Sequence, residues 1–165
     1  MALLAACCMF LATLEYLIPK PLPFLRIGLS NLPLLLSLLI LPFPSYLLLL
    51  FLKVLVQGLV QGTLFSYILL LSFCGTLASG LVMFALKKIG RDSFSLIGIC
   101  VAGALLSNLI QLVIAHILFL GKSVWLIAPP FLIIGTLSGL LLGSFAQHFS
   151  NNSIWLKKIR EHRDI

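Results

Sequence analysis

The sequence predicts an all-α integral membrane protein, a bundle of six transmembrane helices whose second helix is short and bounded by prolines. Of its 165 residues, 61% are hydrophobic and only 9% are charged, and the mean hydropathy is +1.21. Soluble domains are usually about 25% charged, so this chain lacks the polar surface of a soluble protein. Residues 1–149 are predicted to form one membrane domain, and residues 150–165 a basic cytoplasmic tail.

Four apolar runs have the length of a membrane-crossing helix, for which about 20 residues suffice. Polar segments such as KKIGRD (87–92) and GKS (121–123) separate them. The runs are Ala2–Ile18, Ser66–Leu86, Phe94–Leu120 and Trp125–Phe149.

The remaining apolar stretch, Leu32–Gly62, contains a proline break. As one straight helix it would measure about 46 Å, longer than the hydrocarbon core of about 30 Å. The sequence PFP (42–44) interrupts it, and proline removes a backbone donor and clashes with the preceding turn. We expect a short helix at Leu32–Leu41, about 15 Å long, and a longer helix at Tyr46–Gln61. The short helix must tilt, borrow length from its flanks or pack as a partly re-entrant element.

Basic residues orient these helices in the cytoplasmic membrane. Two basic clusters are separated by two spans: Lys87, Lys88 and Arg91 in a connection, and Lys157, Lys158, Arg160 and Arg163 in the tail. Both clusters can therefore be cytoplasmic. Six crossings put both termini in the cytoplasm and leave the segment with Lys20 and Arg26 outside. An unbroken Leu32–Gly62 helix gives five crossings and places Lys20 and Arg26 on the cytoplasmic side. The charges alone mildly favour five crossings, but helix length and the prolines favour six.

Composition also argues against several kinds of partner and cofactor. The net charge of +7 comes from bases in short connections and a tail rather than a dense stripe, so we expect no nucleic-acid partner. The sequence LAAC (4–7) resembles a bacterial lipidation box, but the few preceding residues include no base, which makes a signal peptide implausible. No metal site or cofactor is expected, because the cysteines lie in apolar runs without ligand spacing and are interpreted as small buried residues: Cys7, Cys8, Cys74 and Cys100.

Polar residues inside the spans are the first candidates for function, because they are costly in a bilayer. Lys53, Gln57 and Gln61 recur every four residues and form one stripe. Lys53 is too deep to reach water easily, so it needs either a bound anion or an internal partner. Glu15, near the outer end of the first helix, is expected to form an ion pair with Lys20, Arg26 or Lys53, since an unpaired buried carboxylate would neutralise.

On the fifth helix, Asn108 and Gln111 share a face with Ala104 and Ala115. They are either hydrogen-bonding links between helices or ligand contacts. His116 lies further round the helix and is interpreted as a structural histidine.

Small residues mark faces for close helix packing. Gly135, Gly139 and Gly143 are spaced by four, as are Ala2 and Ala6. Such a face either packs inside the bundle or docks another protein, and one helix flank does not distinguish the two.

Several segments form a recognisable set: E-x-x-x-P at Glu15 and Pro19, PLPFLRIGLSN (21–31), GTLFSYILLLSFCGTLASGLVM (62–83), GALLSNLIQLVIA (103–115) and PPFLIIGTLSGLLLG (129–143). Together they resemble the Gx transporter family, also labelled heptaprenyl diphosphate synthase component I. That family is similar to the substrate-binding S components of energy-coupling factor (ECF) vitamin transporters. The likeness runs from about Ala2 to Phe149, and the pattern P-x-P-x-x-[KR]-x-G-L-x-N (21–31) is its most specific part.

The resemblance implies a six-helix bundle of the ECF S-component type. It implies that the stiff, polar loop after the first helix helps to form and close an outward-facing pocket, and that Ala2 and Ala6 face a transmembrane coupling subunit. The chain departs from the expected pattern at Ser107, where relatives often have histidine, and at Lys53, where arginine is common. These departures bear on the substrate more than on the fold.

The predicted function is therefore substrate binding for an importer energised by a separate coupling subunit and two ATPase subunits. Seven residues are the candidate contacts with the small-molecule substrate: Arg26, Asn31, Lys53, Asn108 and Gln111, with Glu15 and Tyr67 as weaker candidates. Their excess of donors favours a substrate bearing carboxylate, phosphate or carbonyl groups. The alternative is a non-transporting membrane partner of a prenyl diphosphate synthase or a redox complex, and a channel-like or self-associating bundle is a weaker third interpretation.

Catalysis by the chain alone is not expected. Prenyl diphosphate synthases hold magnesium diphosphate with clustered carboxylates, and here the four acids are scattered: Glu15, Asp92, Glu161 and Asp164. No phosphate-binding lysine loop is present in the sequence, so ATP hydrolysis requires other subunits.

Overall fold

The computed structural model describes residues 2–17, 28–63, 65–90 and 94–153, and the regular structure in these ranges is helical. The α-helices are α1 (Ala2–Leu17), α2 (Leu32–Ile40), α3 (Phe43–Val60), α4 (Tyr67–Gly90), α5 (Leu96–Ala115) and α6 (Val124–Asn152). A 3-10 turn at Leu29–Asn31 leads into α2. A π-helical turn at His116–Leu120 and a 3-10 turn at Gly121–Ser123 join α5 to α6.

Four helices, α3 to α6, are long and apolar enough to cross a membrane, and α1 and α2 are shorter apolar helices. Large apolar side chains also cover the outside of the bundle, such as Trp125 (71% exposed), Leu126 (85%) and Leu141 (66%). In water such a surface would aggregate, whereas lipid chains solvate it at no cost.

The predicted proline break is confirmed between α2 and α3. Leu41 and Pro42 are extended, with ψ of 144° and 160°. However, α3 begins at Phe43 rather than at Tyr46, because Pro44 fits the first helical turn, where its missing N–H is not needed. The 9 residues of α2 span about 14 Å, so α2 covers only about half of the hydrocarbon core.

Two helices run further than their sequences predicted. The last turn of α4 includes Lys87 and Lys88, whose charges complement the negative end of the helix dipole. α6 contains Pro129 and Pro130 and continues to Asn152, past the predicted end at Phe149 and into the predicted tail. Its 29 residues measure about 44 Å, which exceeds the hydrocarbon thickness.

Two buried apolar clusters lie at different heights in the bundle. The first cluster comprises Leu34, Leu35, Leu38, Tyr46, Leu49, Leu50, Met83, Ile99, Cys100, Leu142 and Ala146. The second cluster comprises Leu71, Leu112, Ala115, Val124, Ala128 and Phe131. The rings of Phe43 and Phe84 lie 4.8 Å apart, so the proline break sits at the same end of the bundle as the end of α4.

The cysteines are free, and their burial partly contradicts the sequence interpretation. Cys8 and Cys100 are buried and Cys74 is intermediate, but Cys7 is exposed on α1. Cys7 and Cys8 are neighbours about 100° apart around the helix, so they cannot both face the bundle.

The glycine face of α6 packs inside the bundle against α5. A Cβ atom at Gly139 would lie 3.3 Å from Cα of Val101, and one at Gly143 would lie 2.8 Å from Cα of Ile97. At Gly135 a Cβ atom would overlap the side chain of Asn108. The prediction of close helix packing is confirmed, and the partner of this face is α5.

We expect Gly143→Ala to lower the free energy of unfolding by about 2 kcal/mol, the cost of overpacking a site whose neighbour is backbone. Gly98→Ala is the matched control, because Gly98 is also helical but its nearest neighbour to an added Cβ is Ser95 Oγ at 3.8 Å. That variant should be neutral or slightly stabilising. Chemical denaturation in detergent micelles measures both, and equal stability of the two variants would contradict the close contact.

Candidate functional site

A polar cavity of about 40 Å³ lies between the two apolar clusters. Helices α3 to α6 and the turn before α2 form its walls. Its polar lining residues are Ser30, Asn31, Lys53, Gln57, Thr76, Ser79, Ser107, Asn108, Gln111 and Ser138. The lining residues of α4 and α6, such as Thr76, Ser79 and Ser138, lie near the middle of their helices, which places the cavity at about mid-depth of the bundle.

The turn from Gly28 to Asn31 forms hydrogen bonds with two buried charged residues, one on α1 and one on α3. Gly28 has a φ of +84°, a left-handed conformation that glycine adopts without strain. Its N–H donates to Oε1 of Glu15 at 3.1 Å, and its carbonyl accepts from the N–H of Asn31 at 2.7 Å. Oδ1 of Asn31 in turn accepts a hydrogen bond from Nζ of Lys53. Glu15 (0% exposed) and Lys53 (4% exposed) are therefore both anchored to one short turn.

Two of the three residues of the predicted polar stripe on α3 line the cavity. Lys53 and Gln57 line the cavity and are buried. Gln61 caps the helix at its C-terminal end, is partly buried and is not among the lining residues. The stripe thus presents one ammonium and one amide, a helical turn apart, to the same space.

On α5, Asn108 and Gln111 both form hydrogen bonds within the bundle and line the cavity. Nδ2 of Asn108 donates to the carbonyl of Phe131 on α6 at 3.4 Å. Nε2 of Gln111 donates to Oγ of Ser107 at 3.1 Å. These contacts fit the interpretation of the two amides as structural links, while their place in the lining keeps them available to a ligand. At Ser107, where the resemblance led us to expect histidine, the wall carries a small hydroxyl group.

The structure brings Asn31, Lys53, Asn108 and Gln111 together around one cavity. Glu15 is buried beside it and reaches it through Gly28. Tyr67 is not brought to this cavity: it is 50% exposed at the start of α4 and is not among the lining residues, so its contact with a substrate stays a prediction. Arg26 lies outside the described residues, as do Lys20 and the loop that contains them.

Sequence reasoning missed the hydroxyl residues of the lining. Thr76 and Ser79 lie on the buried face of α4, one turn apart, and Ser72 extends the same face. This 3- to 4-residue spacing of hydroxyls on a buried face was the available signal. Single serines in apolar helices are weak signals, because they can bond to their own helix, as Ser138 Oγ does to the carbonyl of Gly135 at 2.9 Å.

A second, smaller cavity of about 10 Å³ is apolar except for Gln111. It lies in the second apolar cluster and is lined by Leu71, Gln111, Leu112, Ala115, Val124, Ile127 and Phe131. Gln111 belongs to both cavities, so it forms the boundary between the polar space and the apolar one. His116 lies beyond it, where Nδ1 and the carbonyl oxygen of Gly121 are 2.6 Å apart, in agreement with a structural role.

The small residues of α1 point in different directions. Cys8, Ala12 and Glu15 are buried and define the inner face, whereas Ala6 is exposed on the opposite side. Ala2 is the first residue of the helix. An exposed small residue leaves room for a neighbouring backbone.

Within the described ranges, no three residues among His, Cys, Asp and Glu lie close enough to hold a metal ion together. The polar lining of the cavity comprises one ammonium, several amides and several hydroxyls. It offers hydrogen bonding and one positive charge.

An all-helical bundle with four membrane-length helices and a polar cavity among them defines a multi-pass membrane protein. Within that class, the chain belongs to the family described as heptaprenyl diphosphate synthase component I, which it matches over residues 4–149. The family label predicted from its segments is thus confirmed, and the likeness to ECF S components stays a prediction. No curated protein and no solved structure matches the chain.

Proposed function

We propose that the chain is the substrate-binding component of an ECF-type importer for a small vitamin- or precursor-like substrate. A coupling transmembrane subunit and two ATPase subunits, encoded separately, would supply the energy. The observation that carries this proposal is the buried Lys53 in a polar cavity at mid-depth of a membrane bundle. Ionisable groups at this depth are costly and often mark substrate sites, and transporters bind their substrates near the bilayer midplane.

The lining favours a ligand with anionic or carbonyl groups. Lys53 and the amide side chains supply N–H donors, while the carboxylate of Glu15 is turned toward Gly28 rather than belonging to the lining. Charge-assisted hydrogen bonds from a buried ammonium to an acceptor are about twice as strong as neutral ones. An acceptor-rich substrate therefore gains most from this site.

Substrate entry requires the bundle to open. Sites for small molecules usually measure about 300–1,000 Å³, far more than the present 40 Å³. α2 is suited to move as a unit, because the left-handed Gly28 precedes it and the extended Leu41 and Pro42 follow it. The loop before Gly28 is predicted to close the pocket from outside.

The proposed function implies six crossings with both termini in the cytoplasm. A single cysteine introduced at Leu22, in a chain freed of its other cysteines, should react with a membrane-impermeant maleimide added to intact cells. A cysteine at Gly90 should react only after permeabilisation. The opposite pattern would reject the topology.

Two measurements test the function itself. Mass spectrometry of the purified protein should find one small molecule enriched over a mock purification. Cells lacking the gene should lose uptake of that molecule and regain it on complementation. Normal uptake in the deletion strain would reject an importer.

The family description favours one second candidate, a membrane subunit that supports a heptaprenyl diphosphate synthase without transporting anything. The chain would then act as a partner rather than a catalyst. Glu15 is the sole acid of the described residues, and one carboxylate cannot hold magnesium diphosphate. Stable co-purification with a prenyl synthase, together with lower synthase activity in the deletion strain, would favour this candidate.

A further inference from the structure

The side-chain amide of Gln57 stands out among the polar groups of the cavity. It is 1% exposed, lines the cavity, and neither Nε2 nor Oε1 has a hydrogen-bond partner among the residues that the structure describes. The other cavity amides each have one: Asn31 with Lys53, Asn108 with Phe131 and Gln111 with Ser107. Buried polar groups are nearly always hydrogen-bonded in folded proteins, so an amide whose N–H and C=O groups both lack a partner needs an explanation.

We propose that Gln57 determines specificity by binding an amide-type edge of the ligand, a hydrogen-bond donor and an acceptor side by side. Lactams, imides and primary carboxamides carry such an edge. The Gln57 amide offers N–H on Nε2 and a lone pair on Oε1, and a second amide edge satisfies both at once. This inference rests on the proposed function in requiring that the cavity takes a ligand, and it narrows the chemical class of that ligand.

Groups that only accept hydrogen bonds do not fit Gln57. A carboxylate or ketone would accept a hydrogen bond from Nε2 but would leave Oε1 facing another acceptor. A buried acceptor without a hydrogen-bond donor weakens binding. Water can satisfy either atom, so a ligand that displaces water must reproduce both bonds to bind well. The apolar neighbours Met83, Cys100 and Leu142 also line the cavity and lower the local dielectric, which raises the penalty for a mismatch.

Lys53 gives the ligand a second, different feature. It lies one helical turn before Gln57 on the same face, roughly 6 Å away between Cβ atoms. Its ammonium donates only, so it selects an acceptor such as a carbonyl or carboxylate oxygen. The ligand class is then a small molecule with an amide edge and an acceptor group about one helical turn apart.

Three isosteric fragments separate these requirements: acetamide has the donor–acceptor edge, acetone accepts only, and acetate accepts with a negative charge. Saturation-transfer NMR titrations measure their binding to the full-length protein in nanodiscs. We expect acetamide to bind the wild type more tightly than acetone does. Gln57→Met should weaken acetamide binding at least tenfold and change acetone and acetate binding less than twofold.

Gln61→Met is the matched control, because Gln61 lies on the same stripe but outside the cavity lining, and it should bind acetamide like the wild type. Gln57→Leu serves as a second variant should Gln57→Met unfold. Equal binding of acetamide and acetone to the wild type, an unchanged acetamide affinity in both Gln57 variants, or an equal loss for all three fragments would overturn the proposal. Normal uptake in the deletion strain alongside a positive fragment result would reject the importer but not the amide-binding site.

Discussion

Lys53→Met is expected to weaken binding of the co-purifying small molecule by about 10- to 100-fold, the scale of one charge-assisted hydrogen bond. Methionine keeps most of the length and volume of the side chain and removes the charge. Lys53 is 4% exposed, lines the polar cavity and is oriented by Oδ1 of Asn31, so its ammonium is positioned before a ligand arrives. Isothermal titration with the purified protein measures the change.

Lys88→Met is the control for removal of a positive charge, because Lys88 is exposed in the last turn of α4. Ligand binding by this variant should equal that of the wild type. An unchanged affinity in Lys53→Met would show that Lys53 does not contact the ligand. Arg26 and the loop that contains it would then be the favoured candidates for that contact.

A double-mutant cycle shows which group offsets the charge of Lys53. Glu15 and Lys53 are both anchored to the Gly28–Asn31 turn, so either Glu15 or the ligand is its counterpart. If it is Glu15, Lys53→Met should destabilise the empty protein by several kcal/mol, and adding Glu15→Gln should recover much of that loss. If it is the ligand, the empty Lys53→Met protein should keep its stability while binding still falls.

The helical architecture was largely predictable from the sequence, because helix length and proline chemistry act locally. The break after Ile40 follows from PFP (42–44). The start of the next helix was predicted three residues too late, since Pro44 fits the first turn of α3. Helix ends near Gly90 and Asn152 were less predictable, because polar residues continue a helix readily once it leaves the hydrocarbon.

The candidate site was only partly predictable, because its residues depend on which helix faces which. Lys53, Asn108 and Gln111 were recognisable as costly polar groups inside apolar spans. Tyr67 has similar chemistry to a ligand contact but lies at a helix start that faces outward. The role of Gly28 requires the fold, since a single glycine does not reveal that its N–H meets Glu15, 13 residues earlier.

The packing of small residues illustrates the same limit. Gly139 and Gly143 carry a spacing that fits both internal packing and docking, and only the contacts with Val101 and Ile97 assign them to the α5–α6 interface. Ala6 has the same kind of spacing, but it is exposed on α1, and among the described residues no helix covers it on that side. Identical sequence signals thus serve the inside and the outside of one bundle.

Ala6→Trp is expected to abolish co-purification with a coupling subunit and to abolish uptake, while ligand binding by the purified chain stays unchanged. The helices of two membrane proteins associate through close backbone approach at small residues, and an indole ring at position 6 prevents that approach. Because Ala6 is exposed and lies opposite Cys8 and Ala12, the ring would enter the surrounding lipid or partner rather than the core. Affinity purification from cells expressing the whole transporter measures complex formation, and uptake is measured in the same cells.

Ala85→Trp is the matched control, since Ala85 is also an exposed alanine, near the end of α4 that carries Lys87 and Lys88. Leu4 and Ala5 pack against the first apolar cluster, as do Phe84 and Leu86, so positions 6 and 85 lie toward the same end of the bundle on different helices. Ala85→Trp should leave complex formation and uptake intact, because bulk by itself is tolerated where only lipid is displaced. If Ala6→Trp co-purifies with a coupling subunit at the wild-type yield, the docking face lies elsewhere, and a loss in both variants would show a general effect of bulk instead of a specific α1 surface.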